Sequence, residues 1–276
     1  MFTLNCRGRL LTIDRPVVMG IINITPDSFY ENSRKPTIDD VLRQTEKMLE
    51  EGASIIDIGG QSTRPGSEHL TAEEEIARVA PAITKIMKHF PEAFISIDTY
   101  YASVVKASAD AGACIANDIS GGLLDDNMLP AIASLRMPFV CMHMIGNPQN
   151  MQQHAHYENV TKDVLDFFIK RIENCRQAGI NDVIIDPGFG FSKTIAHNFR
   201  LLKDLSIFKM LEKPLLVGLS RKSTVYKTLG TTPENALNGT TVLNTIGLLN
   251  GAHILRVHDV KEAVEVIKLT EAVSEL

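Results

Sequence analysis

The chain has 276 residues, of which 44% are hydrophobic and 22% are charged, and its net charge is −5. No basic stripe is available to neutralise phosphates, so we expect neither nucleic acid nor an anionic membrane surface as a partner. No apolar run approaches the ~18–20 residues of a membrane span. The four cysteines, at positions 6, 114, 141 and 175, are widely spaced and form no CxxC pair. We therefore expect buried thiols, a reducing compartment and a cytoplasmic protein.

Strand-like apolar segments alternate with amphipathic helices along the chain. Residues 1–15 suggest a short hairpin closed around Gly8. Strands are then predicted at 16–22, 54–59, 93–98, 114–118, 138–144, 182–185, 213–220 and 252–258. The first helix is predicted to start near Thr37 and to end at Gly52, and a capping box of Thr71 and Glu74 predicts the start of the second. Further helices are predicted up to Gly112, at 126–135, 158–178, 196–204 and 233–250, and from Asp259 onward.

Eight strand–helix units in strict alternation indicate a parallel sheet covered by helices. We predict that residues 1–276 form a single α/β domain, a (β/α)₈ TIM barrel with a short N-terminal hairpin. This prediction is favoured over an open doubly wound sheet because eight units and about 250 residues are typical of the closed barrel. No linker or charge block marks a second domain.

Polar residues recur where these strands end. They are Asn23, Asp57, Asp98, Asn117, His143, Asp186, the run Ser220-Arg221-Lys222, Arg256 and His258. Any one of them could be a cap or a solvated loop residue. In a barrel, however, all the carboxyl ends of the strands open on one face, where binding and catalytic groups lie. The recurrence therefore favours a single functional site.

The chemistry of this set suits a flat heterocycle with a donor-rich edge, such as an amino-pyrimidinone. Asp98, Asn117 and Asp186 supply compact acceptors, and Lys222 supplies a cation. Phe191 could stack on a ring, although plain packing is the alternative. Arg256 and His258 are spaced to project from one side of a strand, which indicates a phosphate site or, alternatively, a surface ion pair. Asn23 could ligate a Mg²⁺ ion that already carries phosphate oxygens and water.

The sequence resembles the dihydropteroate synthase family of pterin-binding barrels nearly end to end. The resemblance rests on eight motifs in order on successive strands: MGIINITPDSF (19–29), IDIGGQSTRPGS (56–67), ISIDT (95–99), NDISGG (117–122), MHM (142–144), DPGFGF (186–191), GLSRKS (218–223) and RVHDV (256–260). It implies that the amine of p-aminobenzoate displaces pyrophosphate from 6-hydroxymethyl-7,8-dihydropterin diphosphate, which gives 7,8-dihydropteroate in tetrahydrofolate biosynthesis. It also implies a homodimer.

Carried over residue by residue, the resemblance implies a catalytic set and a larger binding set. The implied catalytic residues are Asp98, Lys222, Arg256 and His258. The implied substrate-binding residues are these four together with Phe29, Thr63, Arg64, Pro65, Asn117, Met142, Asp186, Phe191 and Ser223, and Asn23 is the implied Mg²⁺ ligand. Phe29, Pro65 and Ser223 would border the p-aminobenzoate pocket.

Three short segments depart from the family pattern. YENS (30–33) replaces a Gly-rich continuation, Ser192 stands where the family typically has Gly, and GNP (146–148) replaces GTP. Two other functions remain as alternatives: a pterin-barrel methyltransferase, which would not need the STRPGS and SRKS loops, and a non-catalytic pterin-binding paralogue, in which loss of Lys222 or Arg256 is expected. The STRPGS and SRKS loops, Lys222 and Arg256 are all present in the chain.

Overall fold

The computed structural model describes residues 1–24, 37–61 and 70–274. Its strands are β1 (Phe2–Cys6), β2 (Arg9–Ile13), β3 (Val17–Asn23), β4 (Ile55–Gly59), β5 (Phe94–Asp98), β6 (Ile115–Asp118), β7 (Phe139–Met142), β8 (Val183–Asp186), β9 (Leu216–Val217) and β10 (Ile254–Val257). Its α-helices are α1 (Ile38–Glu50), α2 (Ala72–His89), α3 (Ala102–Ala111), α4 (Met128–Leu135), α5 (Val160–Ala178), α6 (Ile195–Lys203), α7 (Ser223–Thr228), α8 (Leu237–Leu249) and α9 (Val260–Ser274). Two 3₁₀ helices cover Met151–His154 and Leu205–Leu211.

Strands β3 to β10 form one parallel sheet that curves into a barrel. The order of neighbouring strands is β8-β7-β6-β5-β4-β3-β10-β9. The two outer strands of this order also meet, because Ile185 forms a parallel bridge with Leu215 and its N–H donates to the carbonyl of Pro214 over 2.9 Å. An open doubly wound sheet would leave two free edges. The predicted (β/α)₈ barrel is therefore confirmed.

The main core lies between the outside of the barrel and the surrounding helices. Ile56 and Ile58 of β4 pack there with Val79 and Ile83 of α2, and all four are fully buried. Strands that are covered on both faces are apolar along their whole length, which is why the strand segments lack a polar alternation. None of the described helices is both long enough and apolar enough to cross a membrane.

The N-terminal hairpin closes one end of the barrel. β1 and β2 pair antiparallel, and Arg7 and Gly8 both have positive φ, as a two-residue turn of this hand requires. The hairpin buries Leu4, Cys6, Leu11 and Ile13 against residues from the first halves of the barrel strands, among them Met19, Ile55, Ile115, Ile184 and Ile254. The predicted hairpin is therefore confirmed. It covers the barrel at the amino ends of the strands.

Element boundaries differ from the prediction mainly around β9. Thr37 and Thr71 cap α1 and α2 with complete capping boxes, as their sequences indicate. The strand predicted at 213–220 is reduced to Leu216–Val217, since the chain turns soon afterwards at Arg221, whose φ is +54°. The short helix α7, which the sequence does not predict as a separate element, follows that turn.

Candidate active site

Four side chains from different barrel strands meet in one hydrogen-bonded network. The Oδ2 atom of Asp57 accepts from Nε of Arg256 over 2.7 Å and from Nδ2 of Asn117 over 3.0 Å. The Nη2 atom of Arg256 also donates to Oδ2 of Asp98 over 2.6 Å. Asp98 and Asn117 lie at the same level of the sheet, because the last residue of β5 pairs with Asn117 of β6. The network therefore spans the mouth of the barrel at the carboxyl ends of its strands.

The buried charges in this network perturb one another. Burial raises the pKa of Asp98 to about 7, and the positive charge of Arg256 opposes that rise. Burial by itself would lower the pKa of Arg256, but the neighbouring carboxylates of Asp57 and Asp98 raise it above its usual range. The guanidinium thus stays charged at any working pH. These contacts use Nε and Nη2, so the two N–H groups on Nη1 can donate to an anion.

Asp186 and Lys222 interact electrostatically beside the network. Asp186 ends β8, and its Oδ1 atom accepts from the N–H of Gly188 over 2.8 Å. Lys222 precedes α7, and its Nζ atom donates to the carbonyl of Phe189. Burial raises the pKa of Asp186, with Lys222 opposing the rise. Burial likewise lowers the pKa of Lys222 to about 8, with Asp186 opposing the fall.

Gly218 lies next to the side chains of both Lys222 and Arg256. A Cβ atom at Gly218 would lie 3.7 Å from Nζ of Lys222 and 4.0 Å from Cβ of Arg256. The space beside this glycine is therefore bordered by both basic side chains. Arg256 is hydrogen-bonded to Asp57 of β4 and Asp98 of β5. Lys222 interacts electrostatically with Asp186. The network and the Asp186–Lys222 pair thus belong to one site.

An apolar and aromatic patch adjoins the charged groups. Met142, at the end of β7, is buried together with Tyr100, Ile119 and Met144, and Phe191 packs on this cluster. The Nζ atom of Lys222 lies 4.7 Å from the centroid of the Phe191 ring, within the range of a cation–π contact. A flat ring bound between Met142 and Phe191 would therefore have its edge close to Lys222.

Asn23 lies next to the acidic side of the network. A Cβ atom at Gly59 would be 3.0 Å from Oδ1 of Asn23 and 3.9 Å from Oδ2 of Asp98. Asn23 is half-buried and is the last residue of β3, at the barrel mouth. No group of three or more His, Cys, Asp or Glu side chains suitable for a metal occurs in the described ranges. A metal here would need most of its ligands from substrate and water.

The remaining predicted residues divide into two groups. His258 follows β10, is exposed, and its Nδ1 atom lies 3.0 Å from Oγ of Ser220. Ser223 is the first residue of α7, directly after Lys222. Phe29, Thr63, Arg64 and Pro65 lie outside the described residues.

Two polar residues at strand ends contact partners outside the network of Asp57, Asp98, Asn117 and Arg256. Arg221 forms a bidentate ion pair with Asp259 through bonds of 2.9 and 2.7 Å. His143 is buried, and its Nδ1 atom lies 2.9 Å from Nζ of Lys193. A position after a strand does not by itself fix where the side chain points, because the turn that follows decides it.

Three buried polar residues near the site have roles that sequence reasoning missed. Asp57 was recognised only as a polar strand residue, whereas it anchors both Arg256 and Asn117. Burial lowers the pKa of Lys193 to about 7, with Asp186 opposing the fall. Glu75 of α2 accepts from Oγ1 of Thr99 over 3.0 Å, and burial raises its pKa to about 8. An acid in the middle of an apolar strand, as at 57, is the one sequence signal among these that could have prompted a search for a partner.

The chain as a whole matches one family of known proteins. Residues 19–258 match the family described as pterin binding enzymes. The dihydropteroate synthase of Escherichia coli (strain K12) is 43% identical to the chain over 96% of it and 94% of its own length. The structure of Yersinia pestis dihydropteroate synthase with a sulfonamide drug complex has a TM-score of 0.94 at 42% identity, with 100% of both chains covered. Xanthomonas albilineans dihydropteroate synthase in complex with 7,8-dihydropteroate has a TM-score of 0.90 at 37% identity, again over 100% of both chains. The chain therefore belongs to the pterin-binding enzymes and, among them, to the dihydropteroate synthase family.

Proposed function

We propose that this chain joins p-aminobenzoate to 6-hydroxymethyl-7,8-dihydropterin diphosphate, forming 7,8-dihydropteroate and releasing pyrophosphate. The observation that carries the proposal is the convergence of Asp57, Asp98, Asn117 and Arg256 in one hydrogen-bonded network beside Asp186 and Lys222. Membership of the dihydropteroate synthase family supports it, as does the dihydropteroate bound by the Xanthomonas albilineans relative.

Recognition of the pterin ring is proposed for the acidic side of the mouth. The amino-pyrimidinone edge offers N–H donors, which pair well with the carboxylates of Asp98 and Asp186 and with the amide of Asn117. Lys222 would donate to a ring nitrogen or carbonyl oxygen. Met142 and Phe191 would cover the faces of the ring, because flat aromatic ligands bury most of their area against apolar side chains.

The reaction requires cleavage of the C–O bond to the diphosphate. The bond from the exocyclic carbon to oxygen breaks, the electron pair leaves with pyrophosphate, and the amine nitrogen forms the new C–N bond and then loses a proton to solvent. Asp98 and Asp186 stabilise positive charge that develops on the pterin. Arg256 and His258 stabilise the negative charge of the leaving group. Phe29, Thr63, Arg64, Pro65 and Ser223 are proposed to complete the diphosphate and p-aminobenzoate pockets.

Mg²⁺ is proposed as the cofactor, held by Asn23. The fit rests on the position of its Oδ1 atom at the barrel mouth near Asp98, since a hard cation that carries phosphate oxygens and water needs only one or two protein oxygens. When bound, the ion would neutralise part of the diphosphate charge. We expect EDTA to remove the activity and excess Mg²⁺ to restore it. Asn23→Ala should raise the Mg²⁺ concentration needed for half-maximal rate.

Pyrophosphate release is the direct test of the proposed function. The full chain is incubated with the pterin diphosphate, with and without p-aminobenzoate and Mg²⁺, and pyrophosphate and dihydropteroate are quantified together. Equimolar formation of both products only in the complete mixture is expected. Pterin binding without product would instead indicate a non-catalytic paralogue, and methyl transfer from a methylated folate would indicate the methyltransferase.

A homodimer is proposed through one face of α8 and α9. Val242, Ile246 and Leu249 recur at helical spacing on α8 and are 49%, 37% and 62% exposed. Leu269 and Val273 of the adjoining α9 are also exposed. Five large apolar side chains on two contiguous helices form a surface that a second copy of the chain would bury. A cytoplasmic location is also proposed, supported by four cysteines that are buried and free.

A further inference from the structure

A buried lysine lies beneath the proposed pterin pocket, and the proposed reaction does not use it. Lys193 is only 3% exposed. Its Nζ atom lies 3.1 Å from the carbonyl oxygen of Gly188 and 3.0 Å from that of Phe191. Both carbonyls belong to the β8–α6 loop (187–194), which carries the apolar wall of the pocket.

The same nitrogen reaches a second loop. It lies 2.9 Å from Nδ1 of His143 and 3.3 Å from the carbonyl oxygen of that residue, at the start of the β7–α5 loop (143–159). The tautomer of the imidazole decides which of the two nitrogens donates in the contact between Nζ and Nδ1. Burial, followed by the charge of Lys193, keeps the pKa of His143 well below its usual range. A neutral imidazole is thus one of the groups that surround the Nζ atom of Lys193.

Ser192 connects the same two loops a second time. Its Oγ atom accepts from the N–H of Ile145 over 3.0 Å and lies 3.2 Å from the hydroxyl oxygen of Tyr157. Ser192 is fully buried and has a φ of +46°, a conformation that glycine adopts without strain. A glycine at this position would lack both hydrogen bonds, so the serine supplies contacts that its backbone conformation does not require.

The loop contacts continue to a proposed pterin ligand through one residue, Gly188. Gly188 accepts from Lys193 through its carbonyl and donates through its N–H to Oδ1 of Asp186. A Cβ atom at Gly188 would lie 2.1 Å from the carbonyl oxygen of His143, so the backbones of the two loops touch here. A shift of the β7–α5 loop would therefore reach Asp186 through Gly188, and Phe191 through its bond to Lys193.

We propose that Lys193 and Ser192 are positioning residues that hold the β7–α5 loop against the β8–α6 loop, and so fix Asp186 and Phe191 in the geometry that binds the pterin. This inference rests on the proposed function, because the pterin is the ligand whose binding it explains. We assign neither residue a contact with substrate, because their hydrogen bonds go to the two loops. Loss of the lysine would remove one donor from the carbonyls of Gly188, Phe191 and His143, and the loops would separate to recover it.

The test compares Lys193→Met with Lys203→Met, a control that changes an exposed lysine of α6. Steady-state kinetics give KM separately for the pterin diphosphate and for p-aminobenzoate, and calorimetric titration gives the affinity for the pterin diphosphate alone. We expect Lys193→Met to raise KM for the pterin diphosphate by about tenfold or more, with KM for p-aminobenzoate changed by less than about twofold. Lys203→Met should match the wild type.

Ser192→Gly is the second variant, since it removes the hydroxyl without straining the backbone. We expect a rise of about threefold in the same KM. A folded Lys193→Met protein with both KM values unchanged, with only kcat reduced, or with both KM values raised equally would overturn the inference. If Lys193→Met does not fold, an unchanged KM in Ser192→Gly overturns it. Absence of turnover in the wild type counts against the proposed function, and the titration still tests the positioning role.

Discussion

The guanidinium of Arg256 is bound to Asp57 by a 2.7 Å hydrogen bond from Nε to Oδ2. The two residues are far apart in the chain, and β3 lies between their strands. Asp57 is fully buried, and the same oxygen also accepts from Asn117. A single buried carboxylate thus fixes the proposed diphosphate-binding arginine and one proposed pterin ligand relative to each other.

Asp57→Asn should reduce kcat/KM by about 100-fold and destabilise the fold by roughly 3 kcal/mol, because it leaves a buried cation with one carboxylate fewer. The negative charge of Asp57 helps to raise the pKa of Asp98, so the acidic limb of the pH–rate profile should move to lower pH. Asp166→Asn, which removes an exposed ion pair on α5, is the control and should change neither quantity. An unshifted acidic limb in an active variant would argue against the coupling.

The pH dependence of kcat/KM should be bell-shaped with a maximum between about 7 and 8. Asp98 has a raised pKa of about 7 and must be ionised to accept from the pterin, so activity rises as pH rises through that value. Lys222 has a lowered pKa of about 8 and loses its proton above it, so activity then falls. On each side of the maximum, kcat/KM should change by about tenfold per pH unit.

The alkaline limb can be assigned separately with Lys222→Arg. A guanidinium does not lose its proton in this range, so the fall above pH 8 should disappear while the acidic limb remains. Stopped assays at constant ionic strength, with substrate titration measured in parallel, give the profile. An alkaline limb that persists in this variant would assign it to another group.

Asp186→Asn should raise KM for the pterin diphosphate by about 100-fold while the protein stays folded. The amide oxygen can still accept from Gly188, so the loop is retained, but one acceptor and one negative charge are lost. Asp182→Asn is a matched control, because Asp182 precedes the same strand at the opposite end of the barrel and accepts from the N–H of Asn5. Equal kinetics for the two variants would remove Asp186 from the proposed pterin site.

Glu75→Gln should make stability less dependent on pH. The pKa of Glu75 rises from 4.5 to about 8 through burial, so between these values the folded state holds a proton that the unfolded state has released. Unfolding free energy therefore falls as pH rises across that window, by roughly 5 kcal/mol in total. Glutamine cannot ionise, so the variant should exceed the wild type in urea unfolding at pH 8.5 and approach it at pH 5. Glu92→Gln, on the surface, should have the same unfolding free energy as the wild type at both pH values.

The double substitution Ile246→Glu and Leu249→Glu should convert the proposed dimer to monomers. Charged side chains on this face of α8 would have to be desolvated in the interface, which is unfavourable without partners. Light scattering after size exclusion should give twice the 30.4 kDa chain mass for the wild type and the single mass for the variant. Ile169→Glu, at an exposed position of α5, should leave the mass unchanged. A monomeric wild type would contradict the proposal.

Sequence reasoning predicted the barrel, the hairpin and the strand-end positions of Asp98, Asn117 and Asp186. These follow from local patterns, because parallel strands bring their carboxyl ends to one face whatever their register. The alternation of Arg256 and His258 was likewise readable along a single strand. Local pattern therefore identified which residues could gather at the mouth.

Contacts between distant strands could not be predicted in the same way. The bond between Asp57 and Arg256 depends on β4 and β10 flanking β3, which spacing along the chain does not reveal. Lys193 stands in a polar loop and would be taken for a solvated residue, yet backbone carbonyls of two loops surround it. The ion pair of Arg221 with Asp259 and its positive φ are likewise not indicated by its sequence neighbours.

The hairpin of β1 and β2 fills the amino end of the barrel with Leu4, Cys6, Leu11 and Ile13. Substrates and products must consequently enter and leave through the opposite end of the barrel. Pyrophosphate has to dissociate before the diphosphate group of the next substrate molecule can bind in the same place. Accumulated pyrophosphate should therefore slow turnover by competing with the incoming pterin diphosphate, and p-aminobenzoate, which carries no phosphate, should be affected less.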